Sequence, residues 1–122
     1  HHNFREIFER IEEETRRQIF ICTFPSLDNP MCIPGKFSKI EQRLGKKWTE
    51  RLILTRDKSV VNGVILLDDR PDPAHGNHEN TWQHVVFDQP WNWDHPDTIG
   101  KPRMLDWGED QVTMLIGLIN EQ

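Results

Sequence analysis

The sequence predicts an α/β fold built on a mostly parallel sheet. Three observations carry that prediction. Short, continuous apolar runs recur at residues 19–22, 51–54, 63–67 and 84–87. Runs of that length without alternation fit strands covered on both faces, as in parallel sheets. Between them lie segments with helical periodicity or turn chemistry, the alternation that builds α/β folds. Three of the four runs also stop at a polar cluster: Thr23, then Arg56, Asp57 and Lys58, then Asp68 and Asp69.

Residues 3–17 open the chain as an amphipathic helix. Asn3 is placed to cap it, with Glu6 at the capping-box position. Phe4, Ile7, Phe8 and Ile11 follow the i, i+3, i+4, i+7 pattern and form one apolar face. Residues 19–22 then form the first strand, and Thr23 ends it. The segment through Asp28, Asn29, Pro30, Pro34 and Gly35 reads as loop. A second helix is expected over 36–44, with Phe37, Ile40 and Leu44 on one side and Gly45 as its stop. A turn of helix near Trp48 leads into the strand at 51–54. Residues 63–67 form the third strand and 84–87 the fourth. Residues 70–104 are rich in Pro, His, Asn, Asp and Trp and read largely as loop. A closing helix is expected over 109–120, with Val112, Leu115, Ile116 and Ile119 facing the core.

With 122 residues, the chain has the length of one domain, and no linker divides residues 1–122. Lys+Arg 15 against Asp+Glu 20 gives a net charge of −5. Nucleic-acid polymers call for a basic face, so they are not expected partners. No apolar run approaches the roughly 20 residues of a membrane span. No apolar signal segment stands at the start. Two cysteines, Cys22 and Cys32, do not make a disulfide framework and fit a cytoplasmic setting.

In open α/β sheets the ligand site lies beyond the carboxyl ends of the strands. The polar clusters are therefore the candidate site. Asp68 and Asp69 repel each other unless a cation sits nearby, and Mg²⁺ takes oxygen ligands with only one or two protein carboxylates. A charged turn is the simpler account of the dipeptide alone. Lys58 can neutralise a bound phosphate, or be a surface lysine. Thr23 offers a hydroxyl and adjacent backbone N–H groups, or merely ends a strand. Lys36 follows Gly35 in a step expected to open a helix, where N–H groups favour anions. Two further clusters have plainer readings. His75 and His78, with His84, His95 or Cys32, lack the spacing of a structural zinc site and read as loop. Trp91, Asn92 and Trp93 can stack on a base, but packing over the sheet edge is the simpler role.

Taken together, these residues resemble a known family. Ile21-Cys22-Thr23, Leu54-Thr55-Arg56-Asp57-Lys58 and Leu66-Leu67-Asp68-Asp69-Arg70-Pro71-Asp72 are similar to motifs of the haloacid-dehalogenase-like phosphatases. They look most like those of the 5′(3′)-deoxyribonucleotidases. Lys36 stands 13 positions after Thr23 and Lys58 stands 35 after it, in step with the family's two lysines. Thr81-Trp82-Gln83-His84 resembles the segment before the family's last core strand. The resemblance implies a Rossmann-like core and Mg²⁺-dependent hydrolysis of nucleoside monophosphates. It implies that Thr23 and the Phe24 backbone bind phosphoryl oxygens, with Lys36 beside them. Lys58 would balance charge on the nucleophile and the phosphate, and Asp68 and Asp69 would bind or position the metal.

The sequence departs from the family in two places. The family's nucleophile lies in an Asp-x-Asp-Gly-Val run, and Asp-x-Asp occurs nowhere here. The similarity is thus to the C-terminal part of such an enzyme, without the first strand and cap. Either the chain is a fragment of a longer enzyme, or a second polypeptide or second copy completes the sheet. A non-catalytic module that keeps a phosphate or cation pocket is the alternative. Phe24 also stands where the family usually has Ser, which removes one phosphate-side hydroxyl.

Overall fold

The computed structural model describes residues 2–75 and 79–122. The chain divides into two compact units, His1–Arg56 and Asp57–Gln122.

In the first unit, α1 spans Phe4–Thr15. The Asn3 side chain accepts the Glu6 N–H at 3.2 Å, which satisfies one of the helix's free donors. Arg16 ends the helix in the left-handed region, its N–H on the Glu12 carbonyl. Ile11 is buried, and the Phe8 ring meets Trp48 edge-on at 5.6 Å. Strand β1, Ile21–Thr23, pairs in parallel with β2, Leu52–Leu54. Both strands are half-buried rather than enclosed on two faces, because this sheet has two strands.

Helix α2 covers Cys32–Leu44 and so begins before Lys36. Pro34 does not prevent this. It lies in the first turn, where an amide N–H would lack a helical partner anyway. Gly45, at φ 107°, closes α2 with its N–H on Ile40 and Glu41. A 3₁₀ segment, Lys46–Arg51, leads into β2. Arg51 donates to Glu12 at 2.6 Å and to the Ile19 carbonyl at 2.9 Å. It thereby joins α1, the approach to β1, and β2.

The second unit holds a parallel sheet in the order β3-β4-β5: Ile65–Asp68, Gln83–Phe87 and Arg103–Met104. Val85, Val86 and Met104 are fully buried in its core. Helix α3, Glu109–Asn120, contributes Val112, Leu115, Ile116 and Ile119 to the buried set. The mixed α/β architecture with parallel strands and flanking helices is Rossmann-like, as expected.

Strand β5 is an addition to the four expected strands. The segment between β4 and β5 carries two 3₁₀ turns, Pro90–Asn92 and Pro96–Thr98. Trp91 and Trp93 are 60% and 74% exposed, while Asn92 between them is fully buried. The 3₁₀ turn points the amide inward and both indoles outward, so these tryptophans do not pack over the sheet edge. His78 of the weighed zinc cluster lies outside the described residues.

Candidate functional site

The first group of expected site residues gathers at the carboxyl end of β1. Thr23 ends that strand, and its carbonyl accepts the Thr55 N–H at 3.1 Å, extending the ladder past β2. Lys36 reaches across from α2, and its Nζ donates to Thr23 Oγ1 at 2.8 Å. Lys36 thus acts from the body of the helix, not from its opening turn. A hydroxyl that keeps its own proton to donate, beside an ammonium, suits a phosphoryl oxygen. The Phe24 ring lies under the Arg56 guanidinium, 4.6 Å from its carbon to the ring centroid. Phe24 therefore organises a cation where the family's Ser would offer a hydroxyl.

The second group forms at the carboxyl end of β3. Asp57 caps the 3₁₀ turn Lys58–Val60, accepting the Ser59 N–H at 2.9 Å. The Ser59 hydroxyl and N–H hold the Asp57 carboxyl below its ordinary range. Trp82 Nε1 donates to the Lys58 carbonyl at 3.1 Å, which steadies the turn carrying Lys58. Lys58 Nζ then lies 2.6 Å from Asp68 Oδ2. Asp68 is only 7% exposed, and its Oδ1 accepts the Arg70 N–H at 2.9 Å.

Asp69 is the next residue. Burial, then the neighbouring Asp68 charge, push its carboxyl above the ordinary range. Behind the pair, His84 Nε2 lies 3.0 Å from the Asp68 carbonyl, and Asn92 Nδ2 donates to the Asp69 carbonyl at 2.7 Å. Burial of the imidazole holds His84 below its ordinary value. Thr23, Phe24 and Lys36 belong to the first unit, and Lys58, Asp68 and Asp69 to the second.

No family model matches the sequence. Individual relatives do. A Bordetella bronchiseptica protein with the provisional name 5′(3′)-deoxyribonucleotidase is 42% identical over 87 residues, 71% of this chain and 44% of that protein. The human cytosolic-type 5′(3′)-deoxyribonucleotidase is 46% identical over 71 residues, 57% of this chain and 35% of the relative. The human mitochondrial 5′(3′)-deoxyribonucleotidase is 33% identical over 97 residues, 80% of this chain and 42% of the relative.

The chain is similar to 5′(3′)-deoxyribonucleotidases.

It spans less than half the length of these curated relatives. The resemblance implies Mg²⁺ at the acidic pair. The donor chemistry does suit it. Asp68 and Asp69 are adjacent hard oxygen ligands, the donor type that Mg²⁺ takes. Among the described residues no group of three or more His, Cys, Asp or Glu could cage a metal. The pair therefore fits a Mg²⁺ completed by phosphate and water, not one enclosed by protein.

Lys101 and Arg103 carry no signal in the sequence, and Arg56 and Asn92 stand there only as members of a polar cluster and of the Trp91-Asn92-Trp93 run. Arg56 was visible within the Thr-Arg-Asp-Lys run but had no partner to suggest a role. Asn92 carried no signal of its own, since its importance comes from burial between two exposed tryptophans.

Proposed function

We propose that this chain is the phosphate- and cation-binding part of a nucleotidase. The enzyme hydrolyses deoxyribonucleoside monophosphates to nucleoside and phosphate with Mg²⁺. The observation that carries this reading is the buried Lys58–Asp68 pair beside Asp69 at the end of β3, in a chain similar to proteins named for that activity.

The residues divide the work of phosphoryl transfer, which is mostly positioning and neutralisation of spreading charge. Thr23 Oγ1 and the Phe24 backbone N–H donate to phosphoryl oxygens, and Lys36 adds positive charge beside Thr23. Lys58, held by Asp68, presents an ammonium to the phosphate and to the attacking carboxylate. Asp69, with Asp68 beside it, would hold Mg²⁺, which would supply positive charge to the phosphoryl oxygens.

The nucleophilic aspartate comes from outside these 122 residues, since Asp-x-Asp occurs nowhere in them. A second polypeptide or further segment that supplies it also completes the sheet. The setting is cytoplasmic, as the name of the cytosolic-type human relative suggests. No helix among the described residues is long and apolar enough to cross a membrane.

The absent Asp-x-Asp favours a second reading, a module that binds phosphate and Mg²⁺ without turnover. One assay separates the two. Every polypeptide in the purified sample is identified by intact mass, and phosphate release from deoxyribonucleoside monophosphates is measured with and without Mg²⁺. Mg²⁺-dependent release from a sample containing an Asp-x-Asp polypeptide, falling about 100-fold or more in Lys58→Met, supports hydrolysis. Phosphate affinity without release supports the module. Release that is indifferent to both Mg²⁺ and Lys58 contradicts the proposal.

A further inference from the structure

The acidic pair is held from behind by two buried side chains, and each of those is backed by a cation from one short segment. His84, 6% exposed on β4, faces the Asp68 carbonyl at 3.0 Å. Its other ring nitrogen, Nδ1, lies 2.9 Å from Lys101 Nζ. Asn92, fully buried, donates to the Asp69 carbonyl at 2.7 Å and to the Phe87 carbonyl at 2.9 Å. Its Oδ1 accepts from Arg103 Nη1 at 2.7 Å. Lys101 also donates to the Pro71 carbonyl at 3.0 Å. Between the two cations, the Pro102 carbonyl accepts the Val86 N–H at 2.8 Å, which ties the segment into the sheet.

The backing cations agree with the carbonyls in front on the chemistry of both clamps. An ammonium has donors and no acceptor. Nδ1 of His84 must therefore accept, which leaves Nε2–H to donate to Asp68. A guanidinium likewise only donates, so Arg103, together with the Gln89 N–H at 3.2 Å, holds the Asn92 oxygen and leaves the amide nitrogen toward Asp69. Two adjacent carboxylates would otherwise separate by rotating the backbone between them. Holding both carbonyls blocks that rotation.

We infer that His84 and Asn92 are positioning residues that fix the backbone of Asp68 and Asp69, with Lys101 and Arg103 bracing each clamp from behind. The functional consequence rests on the reading of the acidic pair as a Mg²⁺ site. Partners that orient metal ligands typically cost 10–100-fold in metal affinity or activity when removed.

The test uses the full chain and three readouts: the ¹⁵N-detected tautomer of His84, hydrogen exchange of the Arg70 amide that is bonded to Asp68, and Mg²⁺ titration followed at the Asp69 amide. The wild type is expected to carry its proton on Nε2. His84→Leu is expected to speed Arg70 exchange and weaken Mg²⁺ binding, each about tenfold. His84→Gln, whose amide nitrogen can replace Nε2 as donor, is expected to recover most of both. A proton on Nδ1 in the wild type overturns the inference. So does a folded His84→Leu with unchanged exchange and unchanged Mg²⁺ affinity.

Should His84→Leu fail to fold, Lys101→Met carries the test. It is expected to loosen His84 and speed Arg70 exchange, and a folded Lys101→Met with unchanged exchange overturns the inference. A wild type in which Mg²⁺ shifts no amide, while Arg70 exchange still responds to His84→Leu, supports the positioning and overturns the metal reading.

Discussion

Lys58 Nζ and Asp68 Oδ2 lie 2.6 Å apart, with side-chain exposures of 12% and 5%. Removing one partner of such a pair strands the other's charge away from water. Lys58→Met is expected to destabilise the chain by about 3 kcal/mol, and Lys58→Met with Asp68→Leu to recover much of that loss. Urea unfolding of the single and double variants checks both expectations.

Asn92 makes a different kind of contribution. It satisfies the Asp69 and Phe87 carbonyls and takes a charged bond from Arg103. Asn92→Ala removes this donor from the Asp69 and Phe87 carbonyls at a fully buried position, while Arg103 keeps its ion pair with Asp88. A loss of about 2–4 kcal/mol is expected, measured by the shift in urea midpoint.

Arg51 is the comparable tie in the first unit. Besides its bonds to Glu12 and Ile19, its guanidinium lies over the Trp48 ring at 5.2 Å. Lysine cannot reproduce a planar fork and a stacked face together. Arg51→Lys is expected to cost about 1–2 kcal/mol. Amide exchange of β1 and β2 should then rise while that of β4 stays unchanged.

Asp57 gives the chain an acid-sensitive cap. The Ser59 hydroxyl and N–H stabilise its charged form, so its folded value lies below the unfolded one. Its contribution is fully present above the unfolded value of about 4 and is lost as pH falls through the folded value. Wild type is expected to exceed Asp57→Ala in stability at neutral pH, with the gap narrowing below about pH 4. Melting temperatures across that range check the sign.

The apolar runs located β1 to β4 because continuous hydrophobicity marks a covered strand wherever it falls. The edges were less readable. The run at 19–22 includes Phe20, which is 48% exposed, and the strand proper sits at Ile21–Thr23. Strand β5 has two residues, too few for any pattern. It exists because Val86 and Asp88 donate N–H groups to its segment. Thr23, Lys58, Asp68 and Asp69 are legible as polar residues closing apolar runs, while the roles expected of them and of Lys36 come from the resemblance to the deoxyribonucleotidase motifs. His84, Asn92, Lys101 and Arg103 act through backbone carbonyls, and a carbonyl's partner is set by packing, which no local pattern of residue types encodes.

The central claim is that Thr23 and Lys36 bind phosphate and that Asp69 responds to Mg²⁺. Titration of the ¹⁵N-labelled chain with inorganic phosphate, in the presence of Mg²⁺, tests it most directly. The account expects saturable shifts at the Thr23, Phe24 and Asp69 amides, with phosphate affinity falling about tenfold in Lys36→Met. Absence of saturable shifts at all three amides, or equal affinity in Lys36→Met, would contradict it.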